Sequence, residues 1–503
     1  MLRKRSLTLL LTLTIALPLW LSAQPTFTDL EKQIVDEAMN NSKVMDNLEY
    51  LCYMIGPRLT GTEQMKKASE WTAKKFQEYG LVNVAQESWM FGYPWFRGHE
   101  HARIIKPHVL PLTVAQIGFT PGTNGPKRGE VVVLKADSVK DLERYKGNLK
   151  GKYVLLGEPA NIPPVSPFRR QHLPDTVAVE EPLRVEPMDS LALERLRELA
   201  EVRRKTKELL RKEEVLAVIR DSGKEHALLN MTGGGGQRQN DSTPLPPTTT
   251  FMIHEHYTML YHLVERGEKV IVEMDLPGRF GKKPVEQYNT VAEILGSEKP
   301  DEVVIAGAHL DSWDLGQGTT DNGTGCMAIL EAARILRVVS VKPKRTIRFI
   351  MFSGEEQGKL GSKAYTKSHW AELDKISGVF IMDDGTGRIR GITLQGREKI
   401  KPIMESIFTP FKEYGVIHAS LRHTTGTDHV PFNRQGIPGL EFILDPLEYH
   451  KTHHSQSDTF DHASEEDLKQ AAAVIAVTLL RVANLPEMLP RRSEEVKVGG
   501  SID

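Results

Sequence analysis

The chain has 503 residues, 40% of them hydrophobic and 26% charged, with a formal net charge of −1. That length is more than a single core usually holds, so two domains are expected. The near-neutral balance gives no global attraction to nucleic acid or to an anionic membrane, and function has to be read from local clusters.

The first 23 residues have the layout of a secretory signal peptide. Arg3, Lys4 and Arg5 precede an apolar stretch over 7–21, and Leu21-Ser22-Ala23 supply the small residues of a cleavage site. The stretch is short for a span of ~20 residues and contains Pro18, which favours cleavage over anchoring. An exported protein, periplasmic or secreted, is expected. The two cysteines, Cys52 and Cys326, have no neighbours suited to a nucleophile or a zinc knuckle and are read as buried free thiols.

From 27 to 79 the apolar spacing is helical: Val44, Leu48, Leu51 and Ile55 recur every three or four residues, and Gly56-Pro57 stops the run. A second helix passes through Ala68, Trp71, Ala73 and Phe76 and ends at Gly80. A strand follows, and its aromatic patch "WMFGYPWF" (89–96) is expected to pack between domains. Beyond residue 100, "GEVVVL" (129–134) and "GKYVLLG" (151–157) suit a compact β-rich module. Residues 189–221 read as one solvated amphipathic helix of mixed charge, and 232–247 as a flexible loop without the Walker pattern. The stretch 251–276 reads as a helix and a strand.

From 288 the pattern becomes β-α alternation. "NTVAEILG", "EVVIAGAHLD", "RTIRFIMFSGEE", "ISGVFIMDD" and "GIPGLEFI" are strand candidates. Continuous apolar strands of this kind build a mixed, mostly parallel sheet flanked by helices, an α/β architecture. In such sheets functional residues gather where strands end.

Four clusters sit at such ends. His309 and Asp311 close the second run, and Asp321 lies in the glycine-flanked "TTDNGTG" just before a helix. Glu355-Glu356 close the third run; Asp383-Asp384 close the fourth, joined by a late histidine group in "EYHKTHHSQSDTFDH" (448–462). Carboxylates converging on one sheet edge cannot all ionise unpaired, so protons or metal ions must compensate. Histidines among them fit zinc or a similar divalent ion. Two histidines and at least four acids exceed the needs of one zinc, and a carboxylate bridging two ions is the common hydrolytic arrangement. Asp321 is the natural bridge, because its glycine-flanked turn permits unusual backbone geometry. Adjacent glutamates allow one to bind metal and the other to act as general base. Asp311, two residues past His309, can fix the imidazole from behind.

Taken in order, "HLDSWDLGQGTTDNGTG", "FSGEEQGKLGS", "FIMDDGTG" and "HHSQSDT" resemble the co-catalytic di-zinc metallopeptidases of family M28, and in particular its carboxypeptidase Q-like branch, which shares "PKRT" before the Glu-Glu strand. The resemblance implies a zinc exopeptidase fold built from 24–100 and 286–488. It also implies an inserted domain similar to the protease-associated domain over 101–285, with the charged helix at 189–221 as an extra and 489–503 as a tail. It implies that His309 and Asp383 hold one zinc, Glu356 and His454 the other, and Asp321 bridges them. Manganese or cobalt is an alternative metal. Glu355 would be the base and Asp311 the orienting residue, while Asp428 and His429 in "GTDHVPF" (426–432) would line the cleft without binding metal. Asp383 rather than Asp384 matches the pattern, although a slip of one residue would exchange them. Short peptides cleaved one residue or dipeptide at a time are the implied substrates, and a homodimer is compatible with the pattern. A receptor-like module that binds without catalysis and a single-zinc, glutaminyl-cyclase-like acyltransferase are the rival readings. The full ligand set and the insert weigh against both.

Overall fold

The computed structural model describes residues 26–162, 190–233, 238 and 240–491. The expected signal peptide and the last twelve residues of the expected tail lie outside them. Among the described residues no helix is long and apolar enough to cross a membrane.

The sheet that positions the site grows from strands buried on both faces. In the strand Lys299–His309, Val304, Ala306 and Ala308 enter one hydrophobic core, while Val303 and Ile305 enter the other. This two-residue alternation is what a doubly covered strand requires. Eight strands lie in the order Val82–Gly92, Val285–Ile294, Arg345–Phe352, Lys299–His309, Ile376–Ile381, Gly439–Leu444, Ile389–Thr393 and His418–Ser420. Lys299–His309 runs parallel to both neighbours, and Gly439–Leu444 continues the parallel set. The pairings of Val82–Gly92, Val285–Ile294 and Ile389–Thr393 with their inner neighbours are antiparallel. The sheet is therefore mixed with a parallel centre, as expected.

Helices Thr324–Val338 and Glu465–Ala483 cover the face that Val304 enters, and Leu360–Ser368 and His429–Arg434 contribute to the core on the other face. Their starts are specified locally. Thr28 forms a capping box with Glu31 ahead of Asp29–Asn40, and the Ser464 hydroxyl accepts the Asp467 N–H ahead of Glu465–Ala483. Arg481 grips Glu31 with two hydrogen bonds of 2.6 and 2.8 Å, tying the two distant parts of the chain together.

A second eight-stranded sheet is drawn entirely from residues 101–275. Its strands lie in the order Leu110–Leu112, His101–Lys106, Ile271–Asp275, Lys127–Leu134, Tyr153–Leu156, Ala217–Asp221, Thr249–Met252 and Val114–Gln116. The charged helix is shorter than the sequence suggests. Ser190–Lys212 is helical, but Ala217–Asp221 is a strand inside this sheet. The reason is packing: the apolar run at 217–219 is buried between parallel partners. The helix also has a buried stripe at Val202, Thr206, Leu209 and Leu210, so only its remaining faces are solvated. The stretch read as a helix and a strand gains a further strand, Thr249–Met252, ahead of the helix His254–Glu265.

The aromatic patch packs where the two sheets meet. Phe91 and Trp95 share a cluster with Phe119 and Met231 from the second unit and with Leu59 and Trp313 from the first. Cys52 and Cys326 are buried free thiols.

Candidate metal centre and active site

Parallel register brings the strand ends level. His309 pairs with Phe352, and Gly307 with Ile381, so the residues following each strand emerge at one edge. Asp321 enters from the turn Thr319–Gly323, where Asp321 (φ −136°, ψ 86°) and Asn322 (φ −133°, ψ 46°) leave helical geometry and their peptide bond is cis. Gly318 makes this turn possible. Its φ is +61°, and a Cβ there would lie 2.3 Å from that of Ser312.

The side chains then meet in two groups that share Asp321. His309 Nε2 lies 2.8 Å from Asp383 Oδ1 and 3.2 Å from Asp321 Oδ1. His454 Nε2 lies 3.2 Å from Asp321 Oδ2 and 3.0 Å from Glu356 Oε2. Asp321 thus turns one oxygen to each group. His453 stacks on His454, with ring centroids 3.7 Å apart, but its Nε2 is 4.0 Å from Asp321 and its side chain is more exposed. Asp384 is exposed and belongs to neither group, so the adjacent aspartates are distinguished by geometry.

The expectation for Asp311 is met only in part. Its backbone carbonyl, not its carboxylate, accepts the His309 Nδ1–H at 2.9 Å. The carboxylate lies 3.7 Å from that nitrogen. Instead it accepts the N–H groups of Glu355 and Glu356, each at 3.2 Å, and the Thr60 hydroxyl at 2.9 Å. Asp311 therefore orients the ring through its backbone and shapes the Glu-Glu turn through its side chain. The Glu355 carboxylate approaches Lys359 Nζ at 3.8 Å. Asp428 and His429 are buried, as are His309 and Asp311. Asp428 accepts a short hydrogen bond from the Ser362 hydroxyl, and His429 Nε2 lies 3.1 Å from the Thr424 carbonyl.

Several supports escape a reading of the sequence alone. Asp458 accepts the Thr320 N–H at 2.6 Å, its hydroxyl at 2.8 Å and the Asp321 N–H at 3.3 Å. Buried Arg58 donates to the carbonyls of Leu310, Gln317 and Gly318, clamping the loop between His309 and Asp321. Asp314 receives Arg97 through two bonds of 2.6 and 2.9 Å. Arg97 also donates to the Gln116 carbonyl of the second sheet.

The electrostatics call for a cation. Burial alone would lower the His309 pKa, but the Asp383 charge and contacts to Asp311 and Asp321 hold it well above the ordinary range. Burial and neighbouring acids push Glu355 and Glu356 well above normal carboxylates. Asp321 goes the other way: burial opposes ionisation, yet His309 and His454 hold its pKa down. Asp321 Oδ2 and Glu356 Oε1 are buried without a hydrogen-bond partner. Orphaned carboxylate oxygens on acids that stand against imidazole nitrogens are a donor set that fits divalent metal.

Residues 289–479 match the model of peptidase family M28. Human carboxypeptidase Q is 29% identical over 467 residues, covering 92% of this chain and 90% of that protein. The crystal structure of a peptidase M28 precursor from Shewanella amazonensis SB2B matches with a TM-score of 0.74 and 26% identity, covering 92% of this chain and 98% of that one. The chain is similar to peptidase family M28 over residues 289–479. On these matches the protein is a metallo-exopeptidase, a hydrolase of peptide bonds. The M28 fold extends to a zinc aminopeptidase from Bacillus subtilis, at a TM-score of 0.59 and 21% identity, over 86% of this chain and 92% of that one.

Proposed function

We propose that this enzyme is an exported co-catalytic zinc exopeptidase that hydrolyses short peptides or dipeptides. The observation that carries the two-ion reading is the orientation of Asp321, with Oδ1 towards His309 and Asp383 and Oδ2 towards His454 and Glu356. In this reading His309 and Asp383 would hold one ion, Glu356 and His454 would hold the other, and Asp321 would serve both. Such ions supply positive charge that acidifies water and polarises the scissile carbonyl.

The protein groups do the rest. The Asp311 carbonyl takes the Nδ1 proton of His309 and leaves Nε2 as the lone-pair nitrogen that points into the centre. Glu355 is the general base: it takes a proton from the attacking water and returns it to the leaving amine. Asp311 fixes the turn from which Glu355 projects. The unit built from 101–285, read as protease-associated-like, flanks the cleft and narrows access to it. That confinement favours short chains with a free terminus, in keeping with the carboxypeptidase and aminopeptidase names of the relatives.

Purified enzyme assayed on dipeptides, N-blocked peptides and C-blocked peptides tests the reading. Hydrolysis of free-terminus substrates is expected, and Glu355→Gln should keep its metal while losing about 10²–10⁴-fold in kcat. Activity near wild type in that variant would remove the base, and no hydrolysis of any of the three classes by metal-loaded wild type would remove the exopeptidase assignment.

A further inference from the structure

The loop that carries His454 is gripped from three directions. His454 itself has φ +51°, a left-handed conformation uncommon among non-glycine residues. On the sheet side, Asp458 of the same loop accepts the Asp321 N–H at 3.3 Å. On the other side, segment 224–231 of the second unit lies along it. The Met231 N–H donates to the His454 carbonyl at 2.9 Å, and Lys224 Nζ donates to the His450 carbonyl at 3.0 Å. Gln456 is held at both ends of its carboxamide: Oε1 accepts the Leu229 N–H at 2.8 Å, and Nε2 donates to the Ala227 carbonyl at 3.1 Å. Trp313 meets the His454 ring edge-on at 6.2 Å, and Gly233 closes on Trp313 so tightly that a Cβ would lie 2.6 Å from its rim.

We infer that Gln456 is a positioning residue, through which the second unit sets the place of His454 and so the affinity of the metal seat that His454 completes. A carboxamide satisfied at both ends by one backbone segment reads that segment's position. The peptide carbonyl and the imidazole of one residue share its Cα, so a shift of that Cα displaces both. Docking of the second unit and filling of this seat are therefore coupled, and the coupling is reciprocal. The second unit does more than narrow the cleft.

This inference rests on the reading of His454 as a ligand, and zinc titration separates the two. Metal-stripped wild type, Gln456→Met and Lys224→Met are titrated with zinc against a competing chelator, with kcat and KM followed at each zinc level. Wild type should take two ions. Gln456→Met should hold one of them about 10-fold or more weakly, as loss of a group that orients a ligand typically does. Its kcat should fall with occupancy and recover in excess zinc. A residue serving stability alone would not be rescued in this way. Lys224→Met, farther from the ring, should weaken the same ion less. Wild-type affinity for both ions in either variant, whatever its melting temperature, overturns the inference. Saturation of wild type at one ion overturns both the inference and the two-ion reading beneath it.

Discussion

Asp458 takes three hydrogen bonds from the residues that present Asp321 and thereby fixes the direction in which that carboxylate leaves its turn. Replacing it with alanine leaves two buried N–H donors unsatisfied, at about 1–3 kcal/mol each, and frees Asp321. Asp458→Ala should lower kcat/KM by about 10–100-fold, with a lower melting temperature, whereas Asp458→Asn should fall between it and wild type because one acceptor oxygen remains. Steady-state kinetics beside thermal unfolding checks this. His309, Asp321 and the Glu-Glu pair were legible in the chain because each follows an apolar run or sits among glycines. The supports were not legible, because their partners are remote in sequence: 138 residues separate Asp458 from Thr320, 217 separate Arg97 from Asp314, and 252 separate Arg58 from Leu310. Asp311 shows a different limit. Its place in the sequence pointed to the imidazole, but which of its atoms reaches the ring depends on a turn that only the fold defines.

Among elements, Lys299–His309 was readable because burial on both faces removes polar residues from it altogether between 303 and 308. Ile305→Ala in its centre should cost about 2–5 kcal/mol, measured by denaturant unfolding. The strands Ile389–Thr393 and His418–Ser420 were not anticipated, since three to five residues containing Arg390 or His418 carry too little apolar pattern to stand out. The end of the charged helix was misplaced for a related reason. Residues 215–219 continue its apolar spacing, and only their sheet partners decide for strand.

The contact between Glu31 and Arg481 joins the first and last helices of the catalytic unit. Burial would raise the Glu31 pKa, but the Arg481 hydrogen bond, with the Thr28 N–H next, outweighs it and holds the pKa below 4.5. Between the folded and unfolded pKa values the unfolded chain binds more protons, so stability rises with pH across that window. The contribution is fully present above pH 4.5 and is lost as pH falls through the folded value. Arg481→Met should therefore lower stability by about 2 kcal/mol at neutral pH. Its melting temperature should converge on that of wild type as the pH drops below 4.5. A constant gap down to acid pH would contradict the assignment.

At the scale of the whole molecule, two sheets built from interleaved chain segments meet over one edge of strand ends. The sequence changes texture beyond residue 100 and again from 288, every strand of the second sheet lies between these positions, and the aromatic patch packs at the junction. The cross-links between the units were hidden. Arg97 pairs with Asp314 and Glu100 and reaches the Gln116 carbonyl, and although burial disfavours its charge, both carboxylates hold its pKa above the usual value. Removing that cation leaves two buried acids facing each other. Arg97→Met should destabilise the protein by about 3–5 kcal/mol in denaturant unfolding, and limited proteolysis should cut faster between the units.

The central proposal is an acid-rich centre that would hold two ions around Asp321. Metal analysis of the purified protein, wild type beside Asp321→Ala, tests that most directly. The account predicts about two zinc ions per chain in wild type and at most one in the variant. A reproducible value of one in wild type, unchanged by loss of Asp321, would contradict it.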